Sequence, residues 1–253
     1  MAGWMEFSYR YDGSFAGFLT CIFESYVRKE HPAVFCTRDD PRTSLWPERE
    51  VETDEAHARR VFDSLKKRIC PEARSLVYRG FLTCLPEKER SLYDFVRLGY
   101  NTGAAVVRNL TDSRVAEVEK AVRHLENEAH LLKGFVRFTE LPGLLAGEIE
   151  PKNRVLPLLR AHFCTRYSGE RFVLYDRTYR EALFFQPGQW AIVPLEKFSL
   201  EGPGEEERDY RRMWKRFYDT IAIEGRYNPR CRMSHMPKRY WGTMTEFQED
   251  LGR

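Results

Sequence analysis

The sequence predicts an α+β protein: an N-terminal helical bundle, then a small antiparallel sheet with a helix, then basic C-terminal helices. Three observations predict it. Between residues 15 and 132 apolar side chains recur at three- and four-residue spacing, the period of amphipathic helices. From 135 to 194 the period shortens towards two, and Pro-Gly pairs at 142–143 and 187–188 supply turns. From 208 to 241 cations and aromatic rings alternate. The chain therefore reads as a mainly helical half, 1–133, and an α+β half, 134–253, either as two domains or as one continuous domain.

Each element has its own signal. Residues 5–11 alternate as a short strand, with Phe7, Tyr9 and Tyr11 on one side. Asp12-Gly13-Ser14 makes a turn and offers a cap to a helix over 15–27. Pro32, Pro41 and Pro47 make 31–50 a loop or edge strand. Thr53 or Asp54 caps a helix to about Ile69, and Pro71 suits the first turn of another. Pro86 opens a helix that stops at Asn101-Thr102-Gly103. Asp112 caps a long helix in which Val115, Val118, Val122, Leu125, Ala129 and Leu132 form one stripe. Strands follow at 135–140 and 144–149, a helix at 153–163 with Pro157 in its first turn, and strands at 172–175, 178–185 and 190–193. GPGEEE at 202–207 is a linker and cap for a helix from Glu205 to about Ile223. Asn228-Pro229 starts a short segment, and Met236-Pro237 precedes a last helical turn.

Composition excludes several classes. No run approaches eighteen apolar residues, so no membrane span is expected. The first residues lack the basic and apolar blocks of a signal peptide, which points to a cytoplasmic, reducing setting. The six cysteines form no C-x-x-C pair, so neither a zinc knuckle nor a redox pair is expected, and no metal or cofactor is assigned.

The basic stretch carries the strongest functional signal. From Arg208 to Trp241 ten Lys or Arg stand against three acids, a balance of +7 in a chain whose net charge is only +3. Tyr210, Trp214, Phe217, Tyr218, Tyr227 and Tyr240 lie among them, and Trp241 closes the run. Cations hold phosphates and flat rings stack on exposed bases. Arg211, Arg212, Lys215, Arg216, Arg230, Arg232, Lys238 and Arg239 are the candidate phosphate contacts, and Tyr240 with Trp241 the candidate stacking pair. Helical spacing puts Arg208, Arg211, Arg212, Lys215 and Arg216 on one broad face. Tyr210, Trp214, Phe217 and Ile221 lie on the opposite one, as core. The competing reading is a C-terminal anchor, with both Tyr240 and Trp241 packed on the core. Elsewhere, YDGSFAGF at 11–18 matches no phosphate-loop spacing and reads as a turn plus cap. Glu140, Glu148, Glu150, His162 and Asp176 would suit a Mg²⁺ nuclease site if neighbouring strands brought them together. His124 and His130 are six apart and do not share a helix face.

Three blocks, YDGSFAGFLTCIFESY at 11–26, IEPKNRVLPLLRAHFCTRY at 149–167 and NPRCRMSHMPKRYW at 228–241, resemble the bacterial family of DNA metabolism and repair proteins that contains the DUF4130 domain. The middle helices match that family in layout more than in motif. The resemblance implies motif positions at Asp12, Gly13, Ser14, Pro151, His162, Phe163 and Asp176 and at Met236 to Trp241. Family members are encoded beside a radical SAM DNA-modification protein, and the domain also occurs fused to uracil-DNA glycosylase-like proteins. A DNA-binding accessory role in repair or base modification is thereby implied, with a radical SAM protein or a uracil-DNA glycosylase as partner. No catalytic residue is carried over, and Ala16 stands where an acid is common in the family. The chain has no C-x-x-x-C-x-x-C triad, so it is not itself the radical SAM enzyme. Two alternatives stand beside this reading: a metal-dependent DNA or nucleotide hydrolase built on Glu148, His162 and Asp176, and a protein-binding adaptor that docks its partner through 53–133 without touching DNA.

Overall fold

The computed structural model describes residues 4–41, 44–198, 204–220 and 228–247. Helix and strand are mixed, as expected, and the chain divides into two compact units, Met1–Leu125 and Glu126–Arg253. The division falls inside the long helix rather than at its end, and Val115, Val118 and Val122 of that helix belong to the core of the first unit.

The first unit departs from the expected helical bundle. Strand β1 (Met5–Tyr11) is the centre of a three-stranded parallel sheet, flanked by β2 (Glu30–Thr37) and β3 (Glu48–Glu50). Helix α1 (Phe15–Arg28) crosses from β1 to β2, a βαβ unit. β2 is an edge strand, and the register slips between Phe7 and Ser8, opposite Pro32–Val34. Proline donates nothing to the ladder, which is why the strand tolerates it only at the edge and with a slip. The two tyrosines of β1 are fully buried. Tyr9 donates to Glu30 Oε2 at 2.8 Å, and Tyr11 donates to Glu89 Oε1 at 2.9 Å. Arg49 closes on Glu30 through two bonds of 2.6 and 2.7 Å, so that the buried carboxylate has a cation as well as a phenol.

The expected caps form. Ser14 accepts from Gly17 N at 2.9 Å and starts α1. A Cβ on Gly17, in the first turn of α1, would stand 2.3 Å from Asp12 Oδ1, so a larger residue there would displace the carboxylate that accepts from Ser14 N. Asp54 caps α2 (Glu55–Ser64), which continues as a π-helical turn, Leu65–Ile69. Helices α3 (Pro71–Phe81) and α4 (Lys88–Thr102) follow, and Gly103, at φ +65°, stops the latter before a 3₁₀ turn over Gly103–Arg108. Asp112 accepts from Arg114 N at 3.0 Å at the start of α5 (Ser113–Phe135), and all six residues of its predicted stripe are buried.

The second unit holds a five-stranded sheet in the order β4 (Phe138–Leu141), β5 (Leu144–Ile149), β6 (Phe172–Asp176), β7 (Glu181–Gln186), β8 (Gln189–Pro194). The sheet is mixed rather than antiparallel. β5 and β6 run parallel because α6 (Leu156–Arg166) carries the chain back between them. Phe138 of the sheet meets Phe163 of α6 and Tyr167 just after it edge-on, and Phe172 meets Tyr167, at centroid distances of 5.2 to 6.2 Å. The stretch after β8 forms α7 (Glu205–Thr220), α8 (Pro229–His235) and 3₁₀ turns at Lys238–Thr243 and Thr245–Phe247.

Candidate nucleic-acid interface

Helix α7 sits differently from its predicted orientation. Tyr210, Met213, Trp214 and Phe217 are 55%, 61%, 41% and 51% exposed, where the spacing predicts the rings as core. The inward side is polar instead. Arg211 donates to Glu207 Oε1 at 2.8 Å and to Thr139 Oγ1 of β4 at 2.5 Å. The helix is thus held by a hydrogen-bonded seam at the sheet edge, and its apolar stripe is rolled outward. Trp214 lies at the border. Its Nε1 donates to Glu246 Oε2 at 3.3 Å, Arg137 stands 5.7 Å over its ring, and Phe217 packs 5.8 Å away. Arg208, Arg212 and Arg216 follow at four-residue steps and are exposed; Arg212 pairs with Asp209 on the same helix. Lys215 is half-buried. Ile221 and Tyr227 lie outside the described residues.

The segment 228–247 is built in the opposite sense. Asn228 caps α8 by accepting from Cys231 N at 3.0 Å. Tyr240 is only 2% exposed; its ring packs 5.6 Å from that of Phe135 and its hydroxyl donates to Glu128 Oε1 at 3.0 Å. Burial raises the phenol to about 12. Glu128, also 2% exposed, accepts in addition from Lys152 N at 3.0 Å, from Asn153 N at 2.8 Å and from Asn153 Nδ2 at 2.6 Å, and Arg239 reaches it at 3.1 Å. A buried carboxylate is stable only with such a set of donors. Trp241 is half-buried and stacks on Phe247 at 4.5 Å, with its Nε1 on Met236 O at 3.0 Å. Arg232 and Lys238 lie over that ring at 5.1 and 5.8 Å. A second buried glutamate, Glu246, receives Arg137 through bonds of 2.6 and 3.2 Å.

The predicted contacts therefore divide. Tyr240 is corrected from a stacking ring to an anchor, because its ring faces Phe135 and its hydroxyl completes the shell of Glu128. Trp241 is occupied by Phe247. Arg211, Arg232 and Arg239 are drawn into internal contacts. Arg212, Arg216, Arg230 and Lys238 remain on the exposed surface. Two residues that organise the region, Glu128 and Glu246, were not singled out from the sequence. The available signal for Glu128 was its place three residues after Leu125, inside the apolar stripe of α5.

The carboxylates of the sheet do not converge. Ile149 is opposite Asp176 and Glu148 is opposite Tyr175, so Glu148 and Asp176 project from opposite faces. Glu148 faces Arg177 at 3.5 Å. Asp176 is fully buried. Its Oδ1 accepts from Thr178 N at 2.9 Å and Tyr179 N at 3.1 Å, its Oδ2 has no partner, and burial raises the carboxyl to about 7. His162, half-buried on α6, is lowered by burial and by Lys133 and Arg166, and its Nε2 is unpartnered. Among the described residues no three His, Cys, Asp or Glu side chains are grouped to hold a metal ion. The expected Glu148, His162 and Asp176 centre is not assembled.

The other motif positions hold turns. Asp12 accepts from Ser14 N at 2.9 Å and from Thr53 Oγ1 at 2.8 Å, and Gly13 adopts φ +79°. Pro151 O accepts from Thr178 Oγ1 at 2.7 Å, which ties the loop after β5 to the one after β6. Among the described residues no helix is long and apolar enough to cross a membrane.

Residues 86–246 match the family model of a domain of unknown function, DUF4130. No curated protein and no solved structure matches the chain.

Proposed function

The chain belongs to the DUF4130 family, and we propose that it is a DNA-binding accessory protein of DNA repair or base modification whose contact surface is the outer face of α7. The observation that carries this reading is the pairing, on one helix, of exposed cations at Arg208, Arg212 and Arg216 with exposed rings at Tyr210, Trp214 and Phe217. Rings left exposed on a helix that also exposes guanidinium groups suit unpaired bases, whose faces are open to stacking. The cations supply the sequence-independent attraction to phosphate. Arg230 and Lys238 extend the charged surface. In this reading the chain delivers or holds DNA for a separate enzyme, a radical SAM protein or a uracil-DNA glycosylase.

Fluorescence anisotropy with labelled single- and double-stranded DNA, with and without uracil, across a salt series tests it. The expected result is micromolar or tighter binding that weakens steeply with salt. Absence of binding at low salt removes the DNA assignment. Co-purification with a tagged radical SAM protein or glycosylase tests the partnership separately.

A further inference from the structure

The first unit contains a cleft that the DNA reading does not use. It lies against α1, α2, the π-helical turn and α4, has a volume of about 350 Å³, and is lined by Ile22, Phe23, Tyr26, Val61 and Tyr100, with Arg60 and Arg68 among the polar groups. Most of its lining lies before residue 86 and so outside the matched domain.

Its volume and lining fall within the range of small-molecule sites. The volume is at the low end of the roughly 300–1,000 Å³ of small-molecule pockets, and such pockets combine an apolar lining with a few polar groups. Ile22 and Val61 are buried and form an apolar floor. The ring of Phe23 is fixed by stacking on His57 at 3.8 Å, and the rings of Tyr26 and Tyr100 meet edge-on at 5.7 Å. Ser64 and the Tyr100 hydroxyl share a 2.5 Å hydrogen bond. Burial raises both phenols, Tyr26 to about 12, so both stay neutral at physiological pH. The π-helical turn inserts an extra residue per turn where the wall is formed, a feature often found at functional sites.

The charge at the mouth is of one sign. Arg60 stands 5.5 Å over Phe23, and Arg68 acts electrostatically on Tyr26 and Tyr100. Neither guanidinium has a carboxylate partner among the described residues, and the nearest acid of α1, Glu24, is taken by Arg28 at 2.7 Å. Two uncompensated cations beside an apolar, aromatic floor leave one complementary chemistry.

We propose that this cleft binds an amphipathic organic anion: an apolar or aromatic body in the cleft with one carboxylate or phosphate held by Arg60 and Arg68. Isothermal titration of the full chain with 1-naphthyl phosphate, 1-naphthol, dodecanoate and inorganic phosphate tests it. The expected result is saturable binding of naphthyl phosphate or dodecanoate, with naphthol and inorganic phosphate each at least tenfold weaker. Which of the two amphipathic anions binds more tightly separates an aryl phosphate from a lipid carboxylate. Arg60→Ala with Arg68→Ala, both on the surface, is expected to lower anion affinity at least tenfold, and Arg60→Lys with Arg68→Lys to retain part of it. Equal binding of naphthol, equal binding of inorganic phosphate, unchanged affinity in the alanine variant, or no binding of either amphipathic anion would each overturn the proposal. None of these outcomes depends on whether α7 binds DNA.

Discussion

Helix α7 and the segment 236–247 share a composition, with arginines, lysines and large aromatics in close succession, yet they use it in opposite ways. In 236–247 the rings are spent on the fold. Tyr240 is buried on Phe135 and Glu128, and Trp241 is stacked on Phe247. In α7 the rings are on the outside and the polar seam of Glu207, Arg211 and Thr139 is on the inside. The difference is set by where the buried carboxylates lie. Glu128 demands donors and takes Tyr240 and Arg239; Glu246 takes Arg137 and the edge of Trp214. A ring or cation enclosed by such a group becomes structural, as Tyr240 and Arg239 do at Glu128, whereas Trp214 touches Glu246 only through its indole nitrogen and keeps its ring 41% exposed.

The comparison can be broken most forcefully at Glu128. Glu128→Ala strips the acceptor from Tyr240, Arg239, Asn153 and the Lys152 amide, and should cost about 3–5 kcal/mol in urea unfolding. A loss below about 1 kcal/mol would mean that the segment is not anchored there. The next effect concerns Asp176, whose buried Oδ2 is unpartnered. Its folded-state value is raised from 3.8 to about 7. The unfolded chain therefore loses its proton first, and stability falls as pH rises from about 4 to 7, by roughly 4 kcal/mol in total. Asp176→Asn keeps an acceptor for the Thr178 and Tyr179 amides and should flatten that part of the profile while raising the melting temperature at pH 8. Equal pH slopes in the two proteins would refute the assignment.

Smaller effects sharpen the other side. Trp214→Ala should cost about 1–3 kcal/mol in binding to single-stranded DNA, the worth of a stacked base, as read by anisotropy. Arg212→Ala with Arg216→Ala should lower the salt slope of binding by roughly 1 to 2 units. It should change stability by no more than about 0.5 kcal/mol, because both side chains are exposed.

Local signals in the sequence located most elements. The stripe of α5, the cap at Ser14 and the Pro142-Gly143 turn each depend on residues a few positions apart, and each formed. The parallel sheet of the first unit was not legible in this way, since β2 carries Pro32 and a charged start and gains its stability by pairing with β1 across α1. The mixed character of the second sheet likewise follows from the path of α6 rather than from any strand. At the candidate site the cations could be read from the sequence, but their allocation could not. Tyr240 and Glu128 are 112 residues apart, and nothing near Tyr240 announces its partner. The inward side of α7 carries Arg211, bonded to Thr139 on a strand seventy-two residues earlier, a partner that the helix's own amphipathic pattern does not announce.

The most direct test of the central claim compares the two halves of the stretch in one titration against labelled single-stranded DNA. The account predicts that Trp214→Ala with Phe217→Ala lowers affinity at least tenfold, while Tyr240→Phe leaves it unchanged. Loss of binding in Tyr240→Phe with full binding in the α7 variant would contradict it.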